Sequence, residues 1–177
     1  THDHLDLHGT REAYRAAKGR LFEMSPLHVL NVDDEFSFSY LARLPARRRI
    51  FYSREVQPNG HYDDWWLYAP RADGVSGQIE AYAFRHARPA LPIPLKTSLV
   101  GDYNVANILA AAGVALALGI PSGAIQAGVA ALRGIPGRME RIDEGQPYLA
   151  IVDFAHTPNA LENALRTVRG LTNGRVI

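Results

Sequence analysis

Three histidines and two carboxylates, His2, Asp3, His4, Asp6 and His8, stand within the opening stretch THDHLDLH. Imidazole nitrogens and carboxylate oxygens bind cations, so the stretch is a candidate metal site. A two-zinc hydrolase with the pattern H-x-H-x-D-H would need a histidine at position 7, where this chain has Leu7. Zinc ligands converge to about 2.0–2.2 Å, and a slip of one residue breaks that convergence. The histidines are therefore either ligands of a harder cation such as magnesium or polar residues on a loop entering a helix.

Lys18 follows Ala16 and Ala17 and precedes Gly19, with Tyr14 and Leu21 one turn away. At the edge of an apolar stripe, a lysine either extends its ammonium to water or loses hydration and becomes a neutral, reactive amine. A neutral amine that takes up carbon dioxide becomes a carbamate, an oxygen ligand suited to magnesium. Asn104 and Asn107 stand three apart in GDYNVANILAA, on nearly one helical face. Asn104 suits a helix cap. Asn107, in an otherwise apolar helix, needs hydrogen-bonding partners that a ligand ring can supply.

Arg138 lies in the glycine- and proline-containing stretch GIPGRMER, where its guanidinium can reach a phosphate. Alternatively, Glu140 and Arg141 nearby form a surface ion pair. Asp153 ends the apolar run LAIV. At the carboxyl end of a parallel strand an acid binds ribose hydroxyls, or it closes an Asx-turn. His156 and Thr157 precede a helix start, a place for an anion. The chain contains neither G-x-x-x-x-G-K-[ST] nor G-x-G-x-x-G.

The elements that must position these residues follow from periodicity and caps. Thr10 caps a helix through GTREAYRAAKGRLF, with Ala13, Tyr14, Ala17 and Leu21 as its apolar stripe. HVLNVDDEF reads as a buried strand ending at Asp33 and Asp34, with Asn31, Asp33 and Asp34 as turn formers, and RRRIFYSRE as a second strand. Asn59-Gly60, Asp73-Gly74 and the alternating QIEAYAFR predict antiparallel hairpins, after which the proline-rich ARPALPIPL leads back to the main body. Helices are expected over Val105 to Leu118 and Ser122 to Leu132. Then YLAIVDFAHTPNALENALRTVRGLTNGRVI reads as strand, loop, helix and the start of a strand, the unit of a parallel sheet. Thr157 caps that helix, and Leu161, Ala164, Leu165, Val168 and Leu171 share one face. The fold class is α/β.

Composition narrows the function. The 177 residues carry 19 basic and 18 acidic side chains, which gives no electrostatic footprint for nucleic acid or a membrane surface. The run Arg47 to Arg49 reads as a solvated edge. With no cysteine, thiolate chemistry and disulfides are excluded. Both ends of the sequence read as cut from a longer enzyme.

Taken in order, DHLDLHGTREAYRAAKGRLF, NVDD, LVGDYNVANILAA, GIPGRMERI and IVDFAHTPNAL resemble the Mur ligases. Folylpolyglutamate synthase and cyanophycin synthetase are looser cousins. The resemblance implies residues 1–133 as the C-terminal part of an ATP-binding central domain, a mostly parallel sheet with a small antiparallel subsheet. Residues 134–177 would begin a Rossmann-like C-terminal domain. The implied reaction is ATP-dependent: a carboxylate of UDP-N-acetylmuramoyl-L-alanyl-D-glutamate is phosphorylated, and a diamino acid, diaminopimelate or lysine, attacks the acyl phosphate. The implied setting is cytoplasmic peptidoglycan synthesis.

By the same resemblance His4 and a carbamylated Lys18 hold magnesium. Asn107 contacts adenine with Asn104 nearby, Arg138 reaches the nucleotide phosphates, and Asp153 binds ribose with His156 beside it. The family's phosphate loop, magnesium-binding glutamate and UDP-sugar domain would lie upstream, and the diamino-acid selector downstream. This piece alone is then expected to be inactive and to bind ATP weakly, with the magnesium site empty. The different-class alternatives are a non-catalytic module of the same fold and the two-zinc hydrolase.

Overall fold

The computed structural model describes residues 5–58, 65–70, 77–85 and 90–177. In chain order the first elements are α1 (Leu5–His8), α2 (Arg11–Glu23), β1 (Leu27–Asn31), α3 (Glu35–Leu41), β2 (Arg48–Ser53) and β3 (Trp65–Tyr68). They are followed by β4 (Gln78–Arg85), β5 (Leu91–Lys96), α4 (Asp102–Ala117) and α5 (Ser122–Ala131), then β6 (Glu140–Ile142), β7 (Ala150–Val152) and α6 (Pro158–Leu171). The class is α/β, as the alternation of patterns predicts.

The five strands β1 to β5 form one sheet in sequence order. β1–β2 and β2–β3 are parallel, whereas β3–β4 and β4–β5 are antiparallel. The antiparallel region therefore continues the parallel sheet instead of standing apart from it. Strands β2 and β3 pair parallel and so are not a hairpin; both candidate turns, Asn59-Gly60 and Asp73-Gly74, lie outside the described residues. The antiparallel β3–β4 pair, with Leu67 opposite Ala83, is the hairpin partnership the sequence predicts.

The proline-rich return proves to be a strand. In β5, Ile93 and Leu95 point into the core while Pro92 and Pro94 alternate outward, and the strand lies at the sheet edge. An edge position tolerates residues without an N–H.

Helix α4 covers the sheet. Val105, Ile108, Leu109 and Ala112 are buried against Ile50, Leu67 and Ile93. Contact is close at Gly113, where a Cβ would lie 2.8 Å from Ile50 Cγ2. Helix α5 adds Ile125 to the same core.

Helix α2 is capped as expected, Thr10 Oγ1 accepting from the Ala13 N–H at 3.0 Å. Its packed face is not the expected one. Ala13 and Ala17 are exposed and Leu21 is 68% exposed, whereas Gly19 is buried beneath the Tyr40 ring. The Arg15 guanidinium, one turn earlier, lies over the Phe36 and Tyr40 rings at 4.2 and 4.9 Å. Helix α3 supplies both rings, and it is the element the sequence reading did not include.

A second, smaller apolar cluster holds the C-terminal elements to the start of α4. Val100, Met139 and Ala164 are its buried members, with Tyr103, Ile151, Ala155, Val168 and Leu171 packed around them. Strand β7 pairs antiparallel with β6, which begins within the stretch GIPGRMER. No strand forms over Arg175–Ile177. Helix α6 has its expected cap, Thr157 Oγ1 accepting from the Ala160 N–H, and Pro158 in its first turn.

Candidate functional site

Five residues singled out from sequence meet in one cleft. Asn104, Asn107, Arg138, Asp153 and His156 line a cavity of about 550 Å³ between the first turns of α4 and the N-terminus of α6. Residues separated by up to 52 positions in the chain are thus neighbours around a single space.

The first wall is α4. Gly101 precedes it with φ of +99°, a left-handed conformation that suits glycine. That turn directs Asn104 inward, where its Nδ2 donates to the Val100 carbonyl at 2.7 Å. Asn104 is 3% exposed and Asn107, one turn later, is exposed. This reverses the expectation that Asn107 is the buried amide. Asn104 fixes the turn, and Asn107 presents its amide to the cleft.

The second wall is the stretch from Arg138 to Thr157. The Asp153 carboxylate accepts from the Met139 N–H at 2.9 Å, across 14 residues, which is not an Asx-turn. Met139 has φ of +48°, unusual for a residue with a side chain, and that bond to Asp153 secures it. The Arg138 guanidinium stands 5.7 Å from the Phe154 ring centre. Glu140 accepts from the Gly137 N–H at 2.8 Å, bracing the tight turn before Arg138. His156 donates from Nδ1 to the Phe154 carbonyl at 2.9 Å, which sets its ring at the mouth of α6. The cleft therefore offers an amide, a guanidinium, a carboxylate and a helix N-terminus, the groups that read base, phosphate and ribose.

One cleft residue was not found from sequence. The Tyr103 hydroxyl is shielded from solvent and has no hydrogen-bond partner. Burial, reinforced by the Asp153 carboxylate and opposed by Arg138, pushes its phenol up to about 12. A tyrosine inside GDYNVAN reads as an ordinary apolar helix position, so nothing local marked it.

Lys18 belongs elsewhere. It lines a cleft of about 350 Å³ with Arg11, Arg15, Asp34 and Phe36. The side chain is exposed, its Nζ 5.4 Å from the Tyr14 ring centre, so the burial invoked from sequence is absent. His2, Asp3 and His4 lie outside the described residues, and His8 stacks on Tyr14 at 5.1 Å. Among the described residues no three histidine or acidic side chains are grouped to hold a metal ion. Asp34 caps α3 by accepting from the Ser37 N–H, and Asn31 closes an Asx-turn to the Asp33 N–H. Asp33 does more than turn the chain: it accepts from Ser53 Oγ and the Arg54 N–H, joining the carboxyl ends of β1 and β2. No helix among the described residues is long and apolar enough to cross a membrane.

Comparison with known proteins identifies the family. The Mur ligase middle domain matches residues 1–115, and the Mur ligase glutamate ligase domain matches residues 137–177. A UDP-N-acetylmuramoyl-L-alanyl-D-glutamate–2,6-diaminopimelate ligase of Geobacillus kaustophilus is 41% identical over 99% of this chain and 36% of its own length. A UDP-N-acetylmuramyl-tripeptide synthetase of Roseiflexus is 38% identical over 100% of this chain and 36% of its own. The chain thus spans about a third of the length of these relatives.

Among solved structures, a UDP-N-acetylmuramoyl-L-alanyl-D-glutamate–2,6-diaminopimelate ligase superposes with a TM-score of 0.66 and 31% identity, covering 96% of this chain and 34% of that one. MurF of Acinetobacter baumannii superposes with a TM-score of 0.69 at 20% identity, over 97% of this chain and 36% of that one, a likeness of fold. With its larger part matched by the middle domain and its end by the glutamate ligase domain, the chain belongs to the Mur ligase family.

Proposed function

We propose that this chain is the nucleotide-binding and closing part of an ATP-dependent ligase that adds a diamino acid to UDP-N-acetylmuramoyl-L-alanyl-D-glutamate in peptidoglycan synthesis. The observation that carries the reading is the convergence of Asn107, Arg138, Asp153 and His156 on one cleft. The printed activities of relatives 38–41% identical along nearly the whole chain support the same reading.

In this reading Asn107 hydrogen-bonds the adenine edge, and Asn104 holds the turn that presents it. Asp153 accepts from ribose hydroxyls while keeping its bond to the Met139 N–H. Arg138 and the α6 N-terminus, with His156 beside it, face the phosphates. ATP fits this wall on features of the protein itself, since the exposed Asn107 amide, the Arg138 guanidinium and the Asp153 carboxylate line one space. When bound, ATP supplies the phosphoryl group that activates the substrate carboxylate.

The magnesium assignment rests on Lys18 and His4. As an ammonium beside Arg11 and Arg15, Lys18 offers no lone pair, so the described residues do not suit a divalent cation as they stand. Loss of one proton from the ammonium, bond formation between the Nζ lone pair and the carbon of carbon dioxide, and loss of a second proton from Nζ would give a carbamate with two ligand oxygens. Magnesium held there with His4 would offset the charge of carboxylate and polyphosphate. We further assign the domain boundary to residues 133–134. The two family matches end at residue 115 and resume at residue 137, on either side of Gly134 and Pro136.

The test is calorimetric titration of ADP into the chain and its Asn107→Ala and Asp153→Asn variants. Binding is expected to be weak, because the sequence holds no phosphate loop, and each variant should weaken it about tenfold, the worth of one or two hydrogen bonds. Unchanged affinity in both variants would contradict the assignment.

A further inference from the structure

Arg11, Arg15 and Lys18 recur at helical spacing along α2 and so share one stripe of that helix. With Tyr14, Asp34 and Phe36 they line a cleft of about 350 Å³. Phe36, on α3, is its pedestal: the Arg11 and Arg15 guanidinium carbons lie 4.4 and 4.2 Å from its ring centre. A guanidinium stacked on a ring is oriented by its face, and its N–H donors, which lie in its plane, stay free at the edge. Arg15 uses one Nη1 donor on the Phe36 carbonyl at 2.6 Å, which fixes it further. Lys18 adds an exposed ammonium 5.4 Å from the Tyr14 ring centre. None of the three cations is ion-paired among the described residues. The only acid lining the cleft, Asp34, accepts from the Ser37 N–H, so the lining keeps an excess of two positive charges. Two guanidiniums held on one ring repel each other, and that field also repels magnesium.

We propose that this cleft binds a phosphoryl group, free phosphate or a phosphate monoester, between the guanidinium edges of Arg11 and Arg15 and the Lys18 ammonium. A phosphate dianion matches the two excess charges, and it has an oxygen for each cation. A single carboxylate matches only one of those charges. The space is larger than a phosphate ion, and Tyr14 and Leu41 give it an apolar side where the organic part of an ester can lie. The cleft shares no lining residue with the one formed by Asn107, Arg138 and Asp153, so the inference stands apart from the nucleotide reading. It concerns Lys18 as an ammonium. A carbamate at Nζ would replace a cation by an anion and abolish the site.

The test is titration of inorganic phosphate, phenyl phosphate and acetate into the 15N-labelled 177-residue chain, at equal and low ionic strength. It is read at the Arg11 and Arg15 side-chain Nε–H signals, at about pH 7.5, where phosphate is mostly dianionic. The Arg138 Nε–H, followed in the same spectra, reports phosphate bound in the other cleft, so the two sites are read apart. Phosphate is expected to move the Arg11 and Arg15 signals along one saturating curve, and acetate is expected to give no saturation. Arg11→Gln and Lys18→Gln, both at exposed positions, should each weaken phosphate binding about five- to tenfold, the worth of one charged hydrogen bond. Phenyl phosphate binding more tightly than phosphate assigns the site to an ester, and equal or weaker binding assigns it to the free ion. Phosphate affinity within twofold of the parent in either variant overturns the inference. So does saturation by acetate at the same concentrations, or a carbamate carbon signal with 13C-bicarbonate that Lys18→Gln removes.

Discussion

The Asp153 carboxylate both braces the backbone at Met139 and lines the cleft. The bond from the Met139 N–H secures a backbone in the left-handed region, just after Arg138. Asp153→Ala should therefore lower stability by about 1–3 kcal/mol as well as impair binding, measured by urea unfolding without ligand. Asp153 was legible from sequence as the acid closing an apolar run. Its partnership with Met139 was not, because positive φ at a methionine has no signature in residue type.

Tyr103 gives a pH prediction of defined sign. Its folded phenol stands at about 12 against an ordinary 10.0. The contribution to stability is thus complete below pH 10 and is lost as pH rises toward 12. Tyr103→Phe should flatten the alkaline fall in stability over that window, read from unfolding midpoints at successive pH values. An unchanged slope would show that the phenol is not shielded in solution.

At the scale of elements, caps and periodicity carried most of the reading. Thr10 and Thr157 mark the starts of α2 and α6, and both accept the N–H expected of a cap. Thr157→Ala should cost about 1 kcal/mol of stability and loosen the helix end that faces the cleft. The failures have physical causes. The outward prolines of β5 concealed a strand that its edge position permits. The buried face of α2 depends on Phe36 and Tyr40 of α3, a seven-residue helix too short to show a period. The close seating of α4 on the sheet is also tertiary, and it yields its own test. Gly113→Ala should destabilise the chain by about 1–3 kcal/mol, although alanine favours helix, because its methyl meets Ile50 and Leu67. A gain in stability from that substitution would mean the helix sits farther from the sheet.

At the scale of the whole molecule, the main apolar core lies under α4 and α5, and the smaller cluster around Met139 joins the C-terminal elements to it. The cleft lined by Asn107, Arg138 and Asp153 opens beside that smaller cluster, so in the proposed reading nucleotide binding would be linked to the seating of α6. Lys18 lines a separate cleft with two arginines, and its chemistry is testable without nucleotide. With Lys18 exposed beside two arginines, equilibration of this chain with 13C-bicarbonate should give no carbamate carbon signal that Lys18→Arg removes.

In the proposed function, residues from α4 and from the Arg138–Thr157 stretch act together on one nucleotide. Chemical-shift mapping with ADP on the 15N-labelled chain tests this most directly. The Asn107 side-chain amide and the backbone amides of Met139 and His156 are expected to shift together, with one common dissociation constant. Shifts confined to one wall, or two walls titrating with different constants, would contradict it.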